Sequence, residues 1–222
     1  MNYKNILVSY ADCGIYLKLI ERFRSRCLHY DCPHIIWNKP PNKDRSHQVS
    51  PYGFKLHIIR DAIEKGFTTI VWSDSSAYLI KPHEEFFGLV RKRGVVFLGA
   101  GDWLQQYVNT KSLNRLGFSR SSLEDAPLIS GTIFGFDFTQ SKAVKFFEEW
   151  EELESQNWFQ EDNQGPDEIF KTHRHDEAIA SVLLIKHGID YEYAYDHING
   201  DRSTNKNTFR AHKDFINESP IG

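Results

Sequence analysis

TTIVWSDSSAYL, residues 68–79, is an apolar run that stops at an acidic residue followed by three small ones. The β-branched and aromatic residues of its first half, 68–72, read as a buried strand of the kind found in parallel sheets. Such a strand delivers the residues just beyond it to the carboxyl edge of the sheet, where open α/β proteins bind ligands. Asp74 is therefore expected where a nucleotide or a metal would sit, with the hydroxyls of Ser73, Ser75 and Ser76 beside it. The competing reading is that Asp74 only caps a turn, and this segment alone does not separate the two.

Working outward, residues 5–9 (NILVS), 34–37 (HIIW), 95–98, 129–138 (ISGTIFGFDF) and 189–194 read as further strands. Residues 15–28 form a helical pattern with Ile15, Tyr16, Leu19, Ile20, Phe23 and Cys27 on one side. Residues 52–64 place Phe54, Ile58, Ile59 and Ile63 at helical spacing, and Gly66 stops that helix. Pro82 opens a short helix through Val90, and residues 141–154 and 176–187 make two more. Alternating strands and helices imply an α/β fold, a mostly parallel central sheet covered by helices on both faces. No composition shift marks a boundary, so residues 1–222 read as a single domain, with 200–222 a polar, loosely packed tail.

The chain has 222 residues, enough for one sizeable core, with 40% hydrophobic and 14% aromatic residues. A formal charge of −3 and the lack of any long run of like charge give no pull toward nucleic acid. Cys13, Cys27 and Cys32 form no CxxC pair and are odd in number, which fits a reducing compartment better than a disulfide scaffold. The N-terminus runs straight into a strand-like segment and lacks the regions of a signal peptide. No apolar stretch approaches the roughly 20 residues that span a bilayer. A soluble, intracellular protein is expected.

Several segments carry chemistry. GAGDWL, residues 99–104, comes after a strand and precedes a plausible helix, but the third glycine of a dinucleotide fingerprint is missing, and no P-loop pattern exists. In THRHDEAIASVLL, residues 172–184, Asp176 starts a helix, where its carboxylate either caps free N–H groups or accepts a proton from a substrate hydroxyl. His173 and His175 alternate there but lack the partners of a tetrahedral zinc set. Lys55, among apolar residues on a helix, either snorkels to water or reaches the ligand edge to counter a diphosphate's charge. Asp196 and His197 come just after the last strand, where they are either inert loop residues or approach Asp74.

Taken in order, GFKLHIIRDAI (53–63), TTIVWSDSSA (68–77), YVNTKSLNRLG (107–117), ISGTIFGFD (129–137) with FFEEW (146–150), and RHDEAIASVL (174–183) resemble a known family. This is the group of GT-A-fold glycosyltransferases of the small capsular-polysaccharide type, encoded also by large DNA viruses of the chlorovirus type. The resemblance covers roughly residues 1–195. It matches Lys55 to the family's helix lysine, Asp74 to the first acid of its metal-binding motif, Thr110 and Lys111 to a middle segment, and His175 and Asp176 to a helix start. Ser76 stands where the second acid or glycine would be, Leu56 replaces a proline, and Glu177 a glutamine. A ligand such as His197 would help restore the weakened metal site.

The resemblance implies transfer of a hexose or deoxyhexose from a nucleotide-diphosphate donor, a UDP-sugar, to a glycan acceptor, in the cytoplasm (the host's, if the source is viral). It implies Mn²⁺ or Mg²⁺ as cofactor, since these ions favour oxygen ligands. Ser9, Tyr10 and Asp12 would hold base and ribose, with Tyr10 stacking. Lys55 would meet the phosphates, and Ser73, Asp74, Ser76 and His175 the rest of the donor. Asp176 would serve as catalytic residue, and the glycine-bearing strand 131–135 would line the acceptor side. It also leaves room for the chain to be one domain of a larger glycosylation protein. Two rivals stand beside this: a catalytically silent nucleotide-sugar-binding scaffold, suggested by the missing second acid, and a nucleotidyltransferase. The latter wants a glycine-rich, basic loop after its first strand, which SYADCGIYL does not supply.

Overall fold

The computed structural model describes residues 4–39, 47, 49–160, 169–193, 198–199 and 208–211. Its central sheet contains β1 (Asn5–Tyr10), β2 (His34–Trp37), β3 (Thr69–Ser73), β5 (Val95–Trp103), β6 (Pro127–Asp137) and β7 (Glu192–Tyr193), in the order β2-β1-β3-β6-β5-β7. β1 runs parallel to both β2 and β3, and β5 to β7. Among the described strands of this sheet β6 alone is reversed, antiparallel to β3 on one side and β5 on the other. The sheet is thus mostly parallel, as the sequence predicts, with the glycine-bearing strand as the exception.

Alternation along the strands decides which helix covers which face. Ile6, Val8, Ile70, Trp72, Val95, Phe97, Phe134 and Phe136 point to one side, where they meet α2 (Phe54–Glu64), α5 (Ser141–Ser155) and α6 (His175–Lys186). Leu7, Val71, Val96, Leu98 and Ile133 point to the other, onto α1 (Gly14–His29) and α3 (Glu84–Arg93). This period of two, buried on both faces, is why the strands read as continuous apolar runs. α6 lies between the main core and a smaller cluster that holds α4 (Thr110–Leu116), so it is apolar almost all round from Ala178 to Leu184.

Several expectations need correction. Ile15 and Tyr16 are exposed, because α1 begins beyond the edge of the sheet and only Leu19, Ile20, Phe23 and Cys27 reach the core. GAGDWL does not lead into a helix: β5 continues through Trp103, with shifts in register, to a single 3-10 turn. The strand expected over 189–194 is reduced to Glu192–Tyr193 among the described residues. α4 was missed; its start is fixed by Asn109, whose side chain accepts from the Ser112 N–H at 2.7 Å. Part of the supposed tail packs: β9 (Phe209–Ala211) pairs with β4 (Ala77–Leu79) and with β8 (Ile198–Asn199), and Phe209 is buried edge-on against Phe86 at 5.2 Å.

Candidate active site

β1 connects through α1 to β2 on one side of it, and the chain then crosses through α2 to β3 on the other. β1 and β3 therefore flank a topological switch point, and the crevice outside their carboxyl ends is the expected ligand position. A cleft of about 420 Å³ lies there. Tyr10, Ala11, Asp12 and Cys13 after β1, and Asp74, Ser75 and Ser76 after β3, form two of its walls. Tyr16 of α1, His47, Tyr52, Phe54 and Trp72 complete it, so rings make up much of the surface.

Asp74 both closes a turn and lines the cleft. Its carbonyl closes a turn by accepting from the Ala77 N–H at 2.9 Å, while its carboxylate faces the cleft with 35% of the side chain exposed. Oδ1 accepts from the Trp72 indole N–H at 2.9 Å and lies 3.7 Å from the Lys55 ammonium. Loss of solvent raises the Asp74 carboxyl above its ordinary range, with Lys55 and Trp72 pulling the other way.

Behind Asp74 lies a buried charge cluster. Lys55 and Asp176 are each only 2% exposed, and the Lys55 ammonium donates to Asp176 Oδ2 and to the Gly131 carbonyl, both at 2.9 Å. Burial alone would lower Lys55, but Asp176, Asp74 and Glu177 outweigh it and hold the lysine well above its usual range. For Asp176 the balance is opposite: burial pushes its carboxyl up to about 6 despite the lysine. One cation between two carboxylates leaves surplus negative charge, and a buried pair of this kind repays desolvation only when its geometry and hydrogen bonds are complete.

Gly131 makes the cluster possible. A Cβ on Gly131 would stand 2.9 Å from Lys55 Nζ and 3.0 Å from Asp176 Oδ2. The Gly131 N–H donates to Glu177 Oε1 at 2.8 Å, and Glu177 is in turn held by Arg174 at 2.9 Å. Ser181 accepts from the Ile129 N–H at 3.0 Å, so α6 is tied to β6 at its first turn and again at its middle. At Gly53 a Cβ would meet Ser50 Oγ at 2.4 Å and Glu154 Oε1 at 2.5 Å, which lets α2 begin against α5.

Of the residues expected at the site, Tyr10, Asp12, Asp74 and Ser76 line the cleft, and Tyr10 donates to Asp12 at 2.6 Å. Lys55 does not snorkel, and Asp176 does not cap its helix; both sit in the cluster beneath. Ser9 is fully buried in β1, and Ser73 lies under the turn, donating to the Asp74 carbonyl at 3.2 Å. His175 packs behind Tyr52, with ring centroids 5.6 Å apart. Thr110 and Lys111 open α4, and neither lines the cleft. His197 falls outside the described residues. Sequence reasoning missed Tyr52, Phe54, Trp72 and Tyr16; the aromatic residues of PYGF, just where a helix begins, were the available signal.

Among the described residues no group of three or more His, Cys, Asp or Glu side chains is arranged to hold a metal. Asp74 does fit an ion of another kind: Mg²⁺-like cations are commonly held by one or two carboxylates together with substrate phosphates. Its second oxygen has no hydrogen-bond partner among the described residues, and Ser75 and Ser76 supply oxygen beside it.

No protein-family profile matches the chain, and no curated protein matches it. Its fold does match a solved structure, "a glycosyltransferase involved in the glycosylation of the major capsid of PBCV-1", with a TM-score of 0.55. The match covers 94% of both chains at 13% sequence identity. The chain therefore has the GT-A-like α/β fold of a chlorovirus glycosyltransferase. No helix among the described residues is long and apolar enough to cross a membrane.

Proposed function

We propose that the protein transfers a sugar from a nucleotide-diphosphate donor, a UDP-sugar, to a hydroxyl of a glycan acceptor. The observation that carries this is Asp74: one carboxylate at the carboxyl edge of β3, facing a ring-lined cleft at the switch point of the sheet. A nucleotide suits the aromatic half of that cleft, with Tyr10 for the base and Asp12 for the ribose. In the reaction the bond between the sugar's anomeric carbon and the diphosphate breaks, UDP leaves with the electron pair, and the acceptor oxygen bonds to that carbon while its proton passes to the departing diphosphate. Asp74 would hold Mn²⁺ or Mg²⁺ against the diphosphate, and the ion would supply neutralisation of the charge developing on the leaving group.

The chain's own residues prepare this site. Lys55, fixed by Asp176 and the Gly131 carbonyl, sets the potential behind Asp74 without facing the cleft. Asp176 is thus a positioning residue in this conformation, acting through Lys55. The absence of a second acid at Ser76 favours one other reading, a silent nucleotide-sugar binder.

Release of UDP from UDP-sugars in Mn²⁺ separates the two. Wild-type protein is expected to release UDP slowly and Asp74→Asn to release none. If neither releases UDP while wild type still binds it, the protein is a nucleotide-sugar-binding scaffold. If Asp74→Asn matches wild type, Asp74 does not carry the reaction.

A further inference from the structure

Four non-glycine residues among those described have left-handed backbone: Asp31 (φ 49°), Tyr52 (φ 63°), Asn157 (φ 64°) and His175 (φ 45°). Asp31 and Asn157 come directly after the C-caps of α1 and α5, where a left-handed residue ends the helix and Asp or Asn tolerates it. Tyr52 is the third residue of a turn closed by the Gly53 N–H donating to the Ser50 carbonyl at 3.0 Å, with Pro51 before it, a position that takes left-handed backbone but usually holds glycine or asparagine; His175 has no such setting. Tyr52 lies two residues before α2 and His175 opens α6. A bulky side chain at positive φ costs free energy that the surrounding structure must offset, and such residues concentrate at functional sites.

These two residues meet each other, Tyr52 lining the cleft and His175 behind it. Their rings lie 5.6 Å apart, and the His175 imidazole is anchored from behind by donating from Nδ1 to the Phe159 carbonyl at 2.7 Å. Tyr52 keeps 38% of its surface exposed, lines the cleft, and places its ring 5.0 Å from the Lys55 ammonium. The rings also set an order along the cleft. Tyr10 meets Phe54 at 4.7 Å, Phe54 meets Tyr52 at 6.4 Å, and Tyr52 meets His175. Base and ribose at Tyr10 and a diphosphate at Asp74 leave the Tyr52 end for the group attached beyond the phosphates.

We infer that Tyr52 is a specificity-determining residue whose ring packs against the apolar C–H face of the donor's sugar, braced by His175. This rests on the nucleotide-sugar reading of the cleft. The turn ahead of α2 carries the ring into the lining of the cleft. Donors whose sugar offers a continuous C–H face are therefore preferred.

Calorimetric titration in Mn²⁺ with UDP and with UDP-glucose, UDP-galactose, UDP-N-acetylglucosamine and UDP-rhamnose tests this on wild type, Tyr52→Phe and Tyr52→Asn. Phe keeps the ring; Asn loses it but tolerates left-handed backbone. Tyr52→Asn is expected to weaken the best wild-type UDP-sugar about 10-fold relative to UDP, the scale of one aromatic contact. Tyr52→Phe should hold that ratio within about 2-fold. Equal weakening of UDP and UDP-sugar, or no change in either, overturns the inference while leaving the nucleotide-sugar reading intact. Wild-type protein that binds neither UDP nor any UDP-sugar sinks both together. Should Tyr52→Asn fail to fold, Tyr52→Gly, which accepts the same backbone and also lacks the ring, takes its place with the same expected ratio.

Discussion

Strand β6 passes through two contrasting regions within a few residues. At Phe134 and Phe136 it joins a packed cluster of rings with Phe97, Phe146 and Trp150, at centroid distances between 4.9 and 6.4 Å. At Gly131 it meets Lys55, Asp176 and Glu177, all charged, with the ammonium and a carboxylate sealed from water. The ring cluster follows the local rules closely, with aromatic residues, strict alternation and apolar partners, though the Trp150 indole N–H is buried there without a hydrogen-bond partner among the described residues. The charged region breaks more of them, with buried ions, a strand glycine whose Cβ would press on those ions and two left-handed residues nearby. A fold retains such exceptions where function requires them.

The contrast is sharpest for single substitutions. Lys55→Ala removes the cation between Asp74 and Asp176 and is expected to cost about 3–5 kcal/mol, because it leaves buried carboxylate uncompensated. Phe136→Leu in the ring cluster should cost about 1–2 kcal/mol, since apolar neighbours adjust to it. Urea denaturation of both measures the difference, and equal losses would erase the distinction. Gly131→Ala comes next, at about 1–3 kcal/mol, since its methyl group would press on Lys55 and Asp176. A neutral Gly131→Ala would mean the cluster yields more easily than its hydrogen bonds imply.

The smallest effect is one of pH. Asp176 has its folded carboxyl pushed up to about 6 against an ordinary value of 3.8. Between these values the native state binds more protons than the unfolded chain, so this group's contribution to stability falls as pH rises from about 4 to about 6. The stability of wild type relative to Asp176→Asn should therefore decline across that window by roughly 1–2 kcal/mol. Phe136→Leu should show no such window when compared with wild type. A flat difference for Asp176→Asn would remove burial as the dominant influence on its carboxyl.

Much of the first region was legible in the chain, and less of the second. TIVWS and TIFGFD announce strands because each is dominated by apolar and β-branched residues and the pattern needs no partner to be recognised. Asp74 could be placed because the end of a strand fixes the position of the residue next to it. Lys55 and Asp176 could be named but not joined, since they lie 121 residues apart and only the packing of α2 and α6 on β6 brings them within 2.9 Å. Tyr52 stayed hidden because its place in the cleft depends on how the turn of residues 50–53 sits against β1 and β3, which Pro-Tyr-Gly alone does not reveal. The exposure of Ile15 and Tyr16 likewise depends on where the sheet ends, which helical periodicity does not record.

Thermal unfolding of wild type and Asp74→Asn with UDP, GDP, CDP or dTDP, each with and without Mn²⁺, tests the central claim most directly, because a ligand that binds only the native state raises its stability. UDP with Mn²⁺ should raise the wild-type midpoint by several degrees, and Asp74→Asn should lose most of that rise. No shift with any nucleotide, or the same shift in both proteins, would contradict a donor site built on Asp74.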